Sequence, residues 1–208
     1  ENISKTIYSE RLIWLYIQEK NFKAALMQVK ALDRRNNEDG QRLIELGKLA
    51  ASNKAYDIAF DSYQYVIDKG KNSRYYALAK FGLLDVLYQK VLLGDINTTE
   101  EIEDLEKNYL STINEFGRNQ RTIGLLRDLA HLQAFYLDRA KEAIELLENT
   151  ITIRGASPNF IAECKLELGD ILILTGDIWE ATLIYAEVEK VHKQNPIGHD
   201  AKFRKAKL

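Results

Sequence analysis

Apolar residues recur every three to four positions along almost the whole chain. Leu12, Ile13, Tyr16 and Ile17 make one such stripe, Leu43, Leu46 and Ala50 a second, and Ala59, Tyr63 and Val66 a third. That period gathers apolar side chains on one face of an α-helix. Polar or glycine breaks fall between the stripes, at Asn21, Asn36-Asn37, Ser52-Asn53, Gly70, Gly94, Gly117, Gly155 and Gly176. The pattern predicts ten helices, at about 4–18, 22–34, 39–52, 55–69, 73–92, 99–116, 119–136, 139–153, 158–174 and 178–192, with an eleventh from near Asp200. Thr98-Thr99-Glu100-Glu101 reads as a capping box, and Ser157-Pro158 sets a cap before a proline at the first helical position. Long helices joined by short links pack as antiparallel hairpins.

Composition agrees. The 208 residues are 46% hydrophobic and 29% charged, enough for a packed core, and they include only 2 Pro and 11 Gly. A sandwich or barrel of many short strands needs more turn residues than that. The net charge of −2 provides no general attraction for a phosphate backbone, so no nucleic-acid partner is expected. No apolar run approaches the ~18 residues of a membrane helix, so no membrane insertion is expected. Cys164 is the single cysteine and cannot close an internal disulfide; its helical spacing to Ile161 and Leu168 predicts a core thiol. Most of the aromatics stand at helix-packing spacing. Trp179, two residues after the Gly176-Asp177 turn, is expected to pack there.

Chemistry is sparse. His131, His192 and His199 make no two-histidine helical pair, and no nucleophile elbow, phosphate loop or dinucleotide fingerprint is present. The expectation is no enzyme, no catalytic residue, no metal and no cofactor. Residues 95–106 imitate a calcium loop, with oxygen-bearing side chains at the right places. Glu100 occupies the position that needs Gly, and Ile102, Leu105, Tyr109 and Ile113 continue a helix through it.

The hairpins also repeat. Ala25, Ala59 and Ala181 each follow a bulky or small first-helix residue (Tyr16, Ala50, Leu172) by nine positions, and Ala25 to Ala59 is a shift of 34. Leu46-Gly47 and Leu168-Gly169 match, with Phe81-Gly82 and Leu129-Ala130 as weaker copies. Tyr63 and Tyr185 each stand four residues after the small alanine of a second helix. This pattern resembles the tetratricopeptide repeat, with a Leu-small pair on the first helix, a Gly-Asp-aromatic turn, and a small residue followed by an aromatic on the second. Units fall at about 6–39, 40–73, 75–117, 119–156 and 162–195, and residues 200–208 start a further helix. Ile13 replaces the small residue of the first unit, and the third carries an insertion around Gly94-Asp95-Ile96-Asn97.

The resemblance implies an all-α, right-handed α-solenoid of antiparallel hairpins, one repeat domain over 1–208, with a concave face lined by first helices. It implies groove residues Glu10, Trp14 and Gln18; Gln41, Ile44, Lys48 and Ser52; Tyr76, Ala79 and Leu83; Arg127, His131 and Phe135; and Glu163, Leu166, Asp170 and Ile173. Trp14, Gln41, Lys48, Tyr76, Arg127, His131 and Asp170 are the candidate peptide-binding residues. The family's Lys/Asn clamp for a chaperone tail is absent, since Glu10, Trp14, Ile44 and Lys48 occupy those positions. The expected function is a non-enzymatic scaffold binding a protein or peptide. The alternatives are a structural segment of a longer repeat protein, self-associating through its ends, and a small-ligand sensor using Arg127, His131 and Asp170. The chain opens without Met and closes inside a helix, so a piece of a longer bacterial array is expected. Its richness in Asn, Lys, Ile and Tyr is similar in style to repeat proteins of Bacteroides-type bacteria, which favours periplasm or envelope over cytoplasm.

Overall fold

The computed structural model describes residues 2–208, with side chains from Thr6 onward. Among the described residues there are eleven α-helices and no strand, and the chain is 76% helical. They are α1 (Asn2–Gln18), α2 (Phe22–Asn36), α3 (Gln41–Ser52), α4 (Tyr56–Asp68), α5 (Tyr76–Leu92), α6 (Thr99–Phe116), α7 (Ile123–Phe135), α8 (Ala140–Thr150), α9 (Pro158–Thr175), α10 (Ile178–Val191) and α11 (Pro196–Lys205). The chain divides into two compact units, Glu1–Ile96 and Asn97–Leu208. The division falls between α5 and α6, inside the stretch 75–117.

Local chemistry sets the helix ends. The Thr98 side chain accepts from the Glu101 backbone N–H at 3.3 Å, and the Glu101 carboxylate accepts from Thr98 N–H at 3.3 Å, so the capping box forms and α6 runs through the calcium-like stretch. Ser157 caps only by its extended backbone, with Pro158 at the first helical position. Two expected starts are corrected. The helix placed at 119 begins at Ile123, because residues 117–122 form a turn in which Thr122 Oγ1 donates to the Gly117 carbonyl at 2.7 Å and accepts from Asn119 N–H at 3.0 Å. The eleventh helix starts at Pro196, not near Asp200: Asn195 is extended and Pro196 takes the first position, where its missing N–H costs nothing.

In the first unit, α1–α2 and α3–α4 pack as antiparallel pairs, and α5 lies on α4 and α3. The repeat hinges on Tyr63, 3% exposed on α4. A Cβ on Gly47 of α3 would stand 2.7 Å from its ring, and one on Gly82 of α5 would stand 2.5 Å from it. Both glycines are therefore slots for one ring. Burial first, and the negative charge of Asp85 second, push the Tyr63 phenol from 10.0 up to about 12. A raised folded-state value keeps the proton on, so its stability contribution is complete below pH 10 and drains away as pH rises towards 12. Urea midpoints measured from pH 8 to 12 should fall above pH ~10, and fall less steeply in Tyr63→Phe.

The second unit repeats the device. Tyr185 of α10 is fully buried, its ring packed where a Gly169 side chain would be, and its hydroxyl donates to Asp170 Oδ1 at 2.7 Å. The α7–α8 and α9–α10 pairs pack antiparallel, and α11 closes on α10. Cys164 is 1% exposed, and burial pushes its thiol up to about 12, as a core thiol requires. Trp179 corrects the expectation of packing: it is 76% exposed. Ala181, Tyr185 and Val188 form the buried stripe of α10, and a residue two before Ala181 points to the opposite side.

Candidate functional site

The candidate residues fall in both units, each with its own geometry. In the first unit, the first helices α1 and α3 carry Glu10 and Arg42, whose side chains pair at 2.7 Å; Arg42 also bonds Glu38 at 3.0 Å. Behind this pair a cleft of about 480 Å³ is floored by Ile13, Ile17, Val29, Leu46 and Leu49. Trp14 follows Glu10 by one helical turn, at the edge of the same face, and is 59% exposed. Lys48 is exposed and makes no ion pair among the described residues. Gln41 is used internally: it donates to Glu45 at 2.9 Å and accepts from the Tyr75 hydroxyl at 3.0 Å. It lines a separate polar cavity of about 470 Å³ with Asn37, Asp39, Arg74 and Tyr75. Tyr76 is half-buried, with Lys80 Nζ 5.7 Å from its ring centre.

In the second unit, the three candidates lie along α7 and α9 and are all engaged. Arg127 bonds Asp128 at 3.0 Å and also Glu163 of α9. Burial works against its charge, but Asp128 and then Glu163 outweigh that and raise its pKa. His131 Nδ1 lies 2.7 Å from Glu167 Oε1, and its ring lies 4.6 Å from that of Phe135. Asp170 accepts from both Tyr185 and Arg204 of α11. Arg204 also holds Asp200 at 2.9 Å; burial opposes its charge, and the two aspartates raise its pKa nonetheless.

A common geometry underlies both faces. The partners Glu10–Arg42, Arg127–Glu163, His131–Glu167 and Asp170–Arg204 are 32, 36, 36 and 34 residues apart. Each bond thus spans one repeat and ties a first helix to the next first helix. Arg42, Glu167 and Arg204 were not singled out from the sequence. Comparing the chain with itself at the repeat offset and seeking opposite charges would have found them. Among the described residues, no three His, Cys, Asp or Glu side chains gather to hold a metal ion. None of the described helices is long and apolar enough to cross a membrane.

No protein-family model matches the sequence, and no curated protein does. Solved structures do. MamA (41-end) from Desulfovibrio magneticus RS-1 superposes with a TM-score of 0.64 at 14% identity, over 92% of this chain and 97% of that one. TTC0263, a thermophilic TPR protein of Thermus thermophilus, does so with 0.61 at 16%, over 97% of each. YrrB, a TPR protein with an unusual peptide-binding site, gives 0.56 at 19%, over 85% of this chain and 79% of its own. At these identities the likeness establishes the fold, which is a helical repeat of the tetratricopeptide type.

Proposed function

We propose that this chain of tetratricopeptide-like fold is a non-enzymatic interaction scaffold that captures a peptide or protein segment on its first helices. The observation that supports this most is the α1–α3 cleft: an apolar floor of Ile13, Ile17, Leu46 and Leu49 with the Glu10–Arg42 pair at its rim. An open cleft with apolar walls and a few oriented charges suits an apolar anchor residue flanked by polar backbone. Trp14 and Lys48 stand exposed on the same two helices and supply an aromatic surface and a cation to the segment. Arg127, His131 and Asp170 hold successive helices of the second unit together, and they meet a partner only with the donors and acceptors those bonds leave over. YrrB, similar in fold, has a peptide-binding site of its own, which is in keeping with this reading.

Panning a peptide-display library on the purified chain tests it. Selected peptides should lose roughly tenfold or more in affinity when Leu49→Asp is combined with Trp14→Ala, and keep it in Trp179→Ala. Equal binding to the cleft variant would remove the first unit from the function.

A second reading rests on α1, where Ile7 (44%), Tyr8 (70%) and Leu15 (49%) are exposed. Apolar residues so crowded on one helix favour packing against another helix, which is the structural role in a longer array. Sedimentation of the wild type beside Tyr8→Glu/Leu15→Glu separates the two: concentration-dependent association lost in the variant supports the structural role.

A further inference from the structure

The second helices of the hairpins share one helical phase. Each buries a stripe that starts on an alanine: Ala59, Tyr63 and Val66 on α4, Ala143, Leu147 and Thr150 on α8, and Ala181, Tyr185 and Val188 on α10. Residues two before that alanine, and two, five and nine after it, point the opposite way. On α4 they include Asp57, Asp61 and Asp68, and on α8 Lys141, Glu145 and Glu148, all exposed. In its unit α8 is followed by both α9 and α10 and stays open on this side, so the next hairpin does not cover the face.

On α10 the same positions hold Trp179, Leu183, Ala186 and Lys190. Trp179 is 76% exposed and Leu183 52%. Their spacing of four, three and four puts them on one helix face and is that of a seam between two helices. A single exposed apolar residue is ordinary. An apolar stripe in a phase that carries charge on α4 and α8 marks a contact surface.

The stripe is complementary to itself. On a two-fold axis between antiparallel α10 helices, Leu183 meets the small Ala186 of the second copy, and Trp179 meets its Lys190. A lysine against an indole ring is attractive. Parallel pairing would set lysine against lysine, which is repulsive. Glu187 and Glu189, beside Lys190 in sequence, are taken by Lys165 and Lys205, and Lys190 makes no ion pair among the described residues.

We infer that this face of α10 is a self-association surface that pairs two copies of the chain through antiparallel α10 helices. It uses other residues than the α1–α3 cleft and the exposed side of α1. The same patch serves both copies, so the assembly closes as a dimer. Four side chains from each copy make a small interface, below the ~1,200 Å² of a standard complex, so the dimer is weak and depends on concentration.

Sedimentation equilibrium at micromolar to submillimolar concentrations tests it, on the whole chain and on Tyr8→Glu/Leu15→Glu, which removes association through α1. In both, the average mass should rise with concentration towards the dimer. Leu183→Glu should abolish the rise, and Leu183→Ala should weaken association about tenfold. Adding Ala186→Leu to Leu183→Ala should restore it, because the two-fold axis sets each position opposite the other. Trp14→Phe leaves Trp179 as the one tryptophan, and its emission should move to the blue as the dimer forms. Circular dichroism checks that each variant stays folded. The inference is overturned by a monomer mass at every concentration, by association that persists in Leu183→Glu, or by no recovery in the double variant. A Trp179 emission shift on phosphatidylglycerol vesicles from a chain that stays monomeric also overturns it, since the occupant would then be a lipid surface.

Discussion

Tyr63→Ala is expected to lower the unfolding free energy by about 3–5 kcal/mol, read from urea denaturation followed by circular dichroism. The ring is 3% exposed and fills the space between Gly47 of α3 and Gly82 of α5. Alanine leaves a cavity between two successive first helices, and these helices cannot close it without breaking their own packing. The sharper form of the test lies on the glycine side. An alanine in a helix interior ordinarily stabilises by about 0.5–1 kcal/mol over glycine. At Gly82 the new methyl would lie 2.5 Å from the ring of Tyr63, so Gly82→Ala should instead destabilise by about 1–3 kcal/mol. In the Tyr63→Ala background the same change should turn stabilising. Additive effects in this cycle would show that ring and glycine do not share the space.

Lys69→Met should cost about 3–5 kcal/mol by the same measurement, because it strands a buried carboxylate. Asp33 is fully buried on α2. Its Oδ2 is held by Lys69 Nζ at 2.5 Å and by the Tyr65 hydroxyl at 3.1 Å, while Oδ1 has no hydrogen-bond partner. With Lys69 gone, one phenol would remain to stabilise the charge. Tyr65→Phe removes the weaker partner and should cost about 1–2 kcal/mol. Replacing both members, Asp33→Leu with Lys69→Met, should return most of the loss, since an apolar pair carries no desolvation penalty. If the double variant were as unstable as Lys69→Met alone, the ion pair itself would be the stabilising element.

The two sites differ in how readable they are. Tyr63, Gly47 and Gly82 stand out in the sequence because a repeat needs a small residue opposite a large one, and the spacing gives both. Asp33 gives no such signal. It stands before Arg34 and Arg35, where a carboxylate reads as solvated. Its burial follows from Lys69, 36 residues on, being delivered above it by the next hairpin. Trp179 shows the converse. Its place after a Gly-Asp turn suggested packing, and helical phase relative to Ala181, Tyr185 and Val188 turns it outward.

The candidate site divides along the same line. The repeat register was legible: it put Trp14, Lys48, Arg127, His131 and Asp170 on first helices, where they stand. Their engagement was not. Arg127, His131 and Asp170 each find a partner one repeat away, whereas Lys48 has none among the described residues.

By itself, the sequence determined the all-helical architecture, the approximate position of each helix and the repeat offset. These depend on neighbours three, four or about 34 positions apart, and such regularities are written in the order of residues. Only the tertiary structure decided which charges are consumed in holding successive helices together and which stay open. It also decided that Asp33 is buried and Trp179 exposed, and that Lys205 reaches back to Glu189. Those outcomes depend on distances between separate helices, which packing sets and local periodicity leaves unspecified.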